Sequence, residues 1–216
     1  MLVAESWSRQ AISHSSSHSS LRLPITSNLN DRLQQCLDAR AKRASELREF
    51  GWHELEDAEC DSIWDRFKVF FGCNDDRFDV PAPSSSWDVR HVIQLPEESV
   101  GRKKNVQDLQ RHYIRVIREC QLPGERWFAL DFNHPCYRLA VERIDDTLES
   151  WPVEALPDID EGYFVSEDFS AGIITTLRSS VCLYGERLIQ SMEQSLPLAF
   201  TKPNGHCRVE PVDDNK

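Results

Sequence analysis

The chain has 216 residues, enough for one domain with appendages and for a sizeable core. Its 40% apolar and 28% charged content excludes a collagen-like chain and a wholly disordered one. The formal charge of −11 is unevenly spread, about +2 on residues 1–50 and −13 on 51–216, so the body lacks the basic footprint that nucleic-acid binding requires.

Residues 1–28 read as a disordered tail, because nine of them are Ser and the stretch Ser13 to Ser20 holds six Ser and two His with no apolar side chain. A helix is predicted over 29–50, capped by Asn30 or Asp31, with Leu29, Leu33 and Leu37 on one face and Gly51 ending it. A second helix follows over about 57–71, where Cys60, Ile63, Trp64, Phe67, Phe70 and Phe71 share a face and Gly72 stops the run.

The segment 81–86 reads as a loop. The alternation from Trp87 to Leu95 predicts a strand, and a third helix is predicted over about 105–120. After Pro123-Gly124 short strands are expected near 126–132, 136–142, 162–166, 171–177 and 180–184, then a helix from Glu186 to Ser195 and a polar tail over 203–216. Helices first and strands after them predict an α+β fold in which residues 51–202 form the globular domain around a mainly antiparallel sheet.

Charged residues interrupt every apolar stretch well short of the roughly 18 residues a membrane helix needs. The first residues lack the basic and apolar regions of a secretory signal. The seven Cys are dispersed without a C-x-x-C pair, which suits a reducing compartment, so the expected location is cytoplasmic.

Two groups of polar residues stand out. In the first, Asp131 and His134 lie three apart at a strand-to-turn junction, with Tyr137 and Arg138 close behind. Such a carboxylate either orients an imidazole for acid/base work or simply caps the turn, and the sequence leaves both open. Cys136 close to His134 invites a Cys–His reading, but dispersed thiols more often serve as small buried hydrophobes, which favours a structural thiol.

The second group is the acidic run from Glu142 to Asp168, ten carboxylates against one Arg. Within it Asp158, Asp160 and Glu161 form either a hard-cation site or, as the spacing favours, a solvated acidic edge or a surface for a basic partner. Trp151, just before Pro152, and Trp87, after its Ser-rich loop, are either interface anchors or, as is more usual for Trp, core or partly buried side chains. No metal or cofactor is called for.

The order Trp127-Phe128-Ala129-Leu130-Asp131, His134, Cys136-Tyr137-Arg138 resembles the "LDxxHxCYR" core of an uncharacterised bacterial family, domain of unknown function twenty-seven-sixteen. Trp151-Pro152-Val153, Pro157-Asp158-Ile159-Asp160, Asp168-Phe169-Ser170-Ala171-Gly172 and Ser180-Val181-Cys182-Leu183-Tyr184-Gly185-Glu186 continue the likeness over about residues 52–200. A Gly-His-Pro-Trp-like segment that the resemblance implies after the Asp168-Phe169 motif is here Thr175-Thr176-Leu177-Arg178. The resemblance implies no activity. Two functions are therefore expected from the residues: an immunity-like protein-binding module for a basic partner, or a metal-assisted or acid/base enzyme using Asp131, His134, Asp158 and Asp160.

Overall fold

The computed structural model describes residues 25–73, 78–144, 151–157, 161–176, 179–201, 203–205 and 208–209. The Ser-rich stretch expected to be disordered lies almost wholly outside them, as do Asp158 and Asp160. The described residues divide into two units at residue 40, 25–40 belonging to the first and those from 41 onward to the second. The first unit contributes the start of helix α1 (Ile25–Glu49), on which Leu33 and Leu37 are exposed. Because α1 begins before Asn30 and Asp31, these residues lie within the helix rather than capping it.

In the second unit, α1 ends with Leu47 buried, and strand β1 (Trp52–Glu54) follows. Helix α2 (Asp57–Phe71) buries Ile63, Trp64, Phe67 and Phe71 at the spacing of one helical face. Asp57 and Glu59 in its first turn and Lys68 in its last complement the helix dipole. Gly72 closes it at φ 60°, a left-handed conformation open to glycine.

After β2 (Phe78–Asp79) and β3 (Ser84–Asp88), the expected strand through Leu95 gives way to a short helix, α3 (Arg90–Ile93). Asp88 is the physical reason. Its Oδ1 accepts from the Arg90 backbone N–H at 2.8 Å, which turns the chain, and Val89 and Val92 then bury at a spacing of three rather than two. Helix α4 (Val100–Cys120) starts earlier than expected because Ser99 caps it, its hydroxyl oxygen accepting from Arg102 N–H at 3.2 Å.

The strands β4 (Trp127–Asp131), β5 (Tyr137–Leu139), β6 (Gly162–Ser166), β7 (Gly172–Thr176) and β8 (Ser180–Tyr184) follow, with a 3-10 turn at Val141–Arg143. Helix α5 (Glu186–Gln194) comes next, and the segment expected as a polar tail carries β9 (Pro203–Gly205) and β10 (Arg208–Val209). The order in the main sheet is β1-β5-β4-β6-β7-β8-β3-β9, every pairing antiparallel, while β10 pairs with β2. The fold is α+β.

The sheet divides two cores. Trp127, Ala129, Phe164, Ile173 and Leu183 join residues of α4 and α5 in one. Phe128, Leu130, Tyr163, Ile174 and Tyr184 join residues of α2 in the other. Central strands covered on both sides are buried at every position, which is why β4, β6 and β7 show no apolar–polar alternation and carry their polar residues, Asp131, Ser166, Thr175 and Thr176, at their ends.

Candidate functional site

Asp131 ends β4 and is 3% exposed. Its Oδ1 accepts from the backbone N–H of Asn133 at 2.8 Å and of His134 at 3.1 Å, the geometry of a side-chain-capped turn. His134 Nδ1 lies 3.2 Å from the same oxygen, on a side chain that is half exposed. The carboxylate thus caps the turn and also sits beside the imidazole. An Nδ1–H given to Asp131 would leave Nε2 as the acceptor, able to exchange a proton with solvent.

The turn is held from below. Phe132 stacks on Trp64 with centroids 4.2 Å apart, and the Cys136 thiol donates to the Asp131 carbonyl at 3.7 Å. Cys136 is buried, and burial together with this neighbouring thiol pushes the Cys60 thiol up to about 12. A thiol so raised is a packing group, not a nucleophile.

The other two members of that motif point elsewhere. Tyr137 is buried in the first core, edge-on to Trp52 at 5.9 Å. Arg138 reaches Glu59 of α2 at 3.9 Å. The strand period sends them to opposite faces, so the structure groups Asp131 with His134 alone.

Neither tryptophan proposed as an anchor is exposed. Trp87 is buried and stacks on Phe200 at 4.6 Å. Trp151 is 7% exposed, wedged between Trp52 at 5.1 Å and Phe164 at 5.7 Å, and it fixes the start of the 151–157 segment. The described chain resumes at Glu161, whose carboxylate accepts from the Tyr163 hydroxyl at 2.5 Å. The next residue, Gly162, pairs with Asp131 across β4 and β6. The strand that follows Asp158, Asp160 and Glu161 in the chain therefore enters the sheet beside the Asp131–His134 turn.

Gly162 owes its identity to that crowding. A Cβ there would meet the Glu154 carbonyl oxygen at 2.8 Å and Thr175 Oγ1 at 3.0 Å, and Thr175 Oγ1 itself accepts from Gly162 N–H at 2.7 Å. Among the described residues no group of three or more His, Cys, Asp or Glu is placed to hold a metal ion. Nor is any described helix long and apolar enough to cross a membrane.

One feature escaped the sequence reading. A cavity of about 480 Å³ lies between α4 and the 151–157 segment, with Val106, Gln110, Trp151 and Leu156 in its wall. The available signal was Gln110 itself, an amide set beside Leu109 on the buried face of α4. A polar residue at such a position calls for a partner.

The family described as "Protein of unknown function (DUF2716)" matches residues 54–189. The chain is also similar to the Uncharacterized protein YxiI of Bacillus subtilis (strain 168), 20% identical over 156 residues that span 69% of this chain and 96% of the relative. No solved structure matches.

Proposed function

We propose, for a chain that belongs to the DUF2716 family of proteins of unknown function, a role as a cytoplasmic binding module that engages a basic protein partner, in the manner of an immunity protein. The observation that carries this reading is the charge pattern: about −13 on residues 51–216, with ten carboxylates between Glu142 and Asp168. Acidic density of this kind steers a basic partner and sets its orientation.

Asp158, Asp160 and Glu161 are the contact residues in this reading. Trp151 supports them from within, because its burial against Trp52 and Phe164 anchors the segment that leads into them. The test is charge reversal. Asp158→Lys combined with Asp160→Lys is expected to weaken the complex at least about tenfold while leaving thermal unfolding unchanged. Undiminished binding by the reversed variant would overturn the assignment.

A second reading rests on the 3.2 Å contact between His134 Nδ1 and Asp131 Oδ1, which suits acid/base work at a half-exposed imidazole. The binding reading is preferred because the same oxygen already serves two backbone N–H groups as a turn cap.

A further inference from the structure

Helix α4 and the end of α5 bring together three residues that the acidic surface does not use. His112 lies on α4 with its side chain 16% exposed, and its Nδ1 stands 2.7 Å from the backbone carbonyl oxygen of Asp108, one turn earlier. The Asp108 carboxylate lies beside the same nitrogen, with Oδ2 at 3.6 Å. Across the ring, Nε2 is 3.3 Å from the hydroxyl oxygen of Ser195, the residue that follows α5.

These contacts fix the proton positions. A carbonyl oxygen and a carboxylate only accept, so Nδ1 carries the ring proton and donates it to the Asp108 carbonyl. In the neutral ring Nε2 is then a bare acceptor, and the Ser195 hydroxyl is the group that donates to it. A hydroxyl aimed at an imidazole that a third residue orients is the arrangement that activates a serine nucleophile. The array is braced from both sides: Asp108 Oδ2 accepts from the Leu198 backbone N–H at 2.7 Å, and Arg115 donates to the Ser195 carbonyl at 3.2 Å. Ser195 is exposed, and so are the apolar side chains of Leu196 and Leu198 next to it in the chain.

We propose that Asp108, His112 and Ser195 form a hydrolytic site for short-chain carboxylic esters, with Leu196 and Leu198 against the acyl chain. Ser195 Oγ bonds to the acyl carbon as its proton passes to His112 Nε2, and the carbonyl π pair moves onto oxygen. The Leu196 backbone N–H, which no described residue accepts, is the donor that meets this oxyanion. Return of the pair breaks the ester C–O bond, and the leaving alkoxide takes the proton from Nε2 to become an alcohol. Water then adds to the acyl carbon and gives a proton to the same nitrogen. The acyl–Oγ bond breaks, Ser195 recovers that proton, and a carboxylic acid leaves. Asp108 is a positioning residue, which holds the ring and stabilises the imidazolium formed in each half. The site shares no residue with Asp158, Asp160 and Glu161.

Diisopropyl fluorophosphate, applied to the full-length protein, tests the nucleophile directly. The expected product is one adduct, which peptide mass mapping places on Ser195 and which His112→Gln forms about 100-fold more slowly. Mapping on the wild-type chain decides the matter even where a variant folds poorly. p-Nitrophenyl butyrate is expected to be hydrolysed saturably by the wild-type protein and not by Ser195→Ala, a change at an exposed position that leaves the fold intact. Asp108→Asn keeps the backbone carbonyl and is expected to lower kcat about tenfold with KM unchanged. The proposal is overturned by an absent adduct, by an adduct on another residue, or by one that His112→Gln forms as fast. Ester hydrolysis that survives Ser195→Ala, or an Asp108→Asn effect confined to KM, would overturn it equally.

Discussion

Trp52 and Trp151 meet with ring centroids 5.1 Å apart and planes inclined by 60°. That contact joins the edge strand β1 to the segment that precedes Asp158 and Asp160 in the chain, and Phe164 of β6 completes the cluster 5.7 Å from Trp151. Replacing Trp151 by Ala empties a buried aromatic site, at a cost of about 3–5 kcal/mol. Denaturant unfolding of Trp151→Ala is expected to show that loss. A variant as stable as wild type would mean that Trp151 does not anchor the segment.

Asp131 gives a sharper discrimination between structural and chemical roles. Asp131→Ala removes the acceptor of two backbone N–H groups and is expected to destabilise the protein by about 1–2 kcal/mol. Asp131→Asn keeps an oxygen acceptor at the turn and is expected to lose much less. Equal losses for the two variants in equilibrium unfolding would show that the charge beside His134, rather than the cap, is what stabilises the turn.

Much of the fold is legible in the sequence where burial is simple. Gly162–Ser166 and Ser180–Tyr184 lie where their apolar runs place them, because strands covered on both faces need no alternation. Helix α2 follows from one strongly apolar face ending at Gly72. Trp87 to Leu95 misleads because Asp88 redirects the chain through a side-chain hydrogen bond that hydrophobic periodicity does not register. Strands β1, β9 and β10 are two or three residues long and are defined by their partners, not by their own pattern.

The candidate site was legible only in part. The spacing of Asp131 and His134 is visible in the sequence, and both of its readings, turn cap and imidazole neighbour, meet in one carboxylate oxygen. The sequence leaves Trp151 open between core and interface, and its burial is decided by Trp52, far away in the chain. Gln110 became notable only once the cavity was seen next to it.

Gly162 is expected to reject even a methyl group. An added Cβ would lie 2.8 Å from the Glu154 carbonyl oxygen, a backbone atom that cannot swing aside. Gly162→Ala is expected to destabilise the protein by about 1–3 kcal/mol, measured by chemical denaturation, by pushing the 151–157 segment off the sheet. An unchanged denaturation midpoint would show that this segment moves without penalty.

Acidification provides a further check. Burial, and then the positive charges of Arg138, Arg48 and Arg143, hold the His53 imidazole below its ordinary value of 6.5. The unfolded chain therefore takes up that proton at a higher pH than the folded one does. The contribution of neutral His53 is complete above 6.5 and is lost as pH falls through the lower folded value. Thermal unfolding followed from about pH 8 to about pH 5 is expected to show a decline that His53→Asn reduces. An identical decline in both proteins would remove His53 from the account.

The most direct test of the binding role is capture of a partner by the full-length protein from its native lysate, in parallel at low and high salt, with the Asp158→Lys, Asp160→Lys variant alongside. The account predicts a stoichiometric basic protein that is retained at low salt, released at high salt and absent from the charge-reversed variant. A partner that survives high salt and charge reversal, or no stoichiometric partner under any of these conditions, would contradict it.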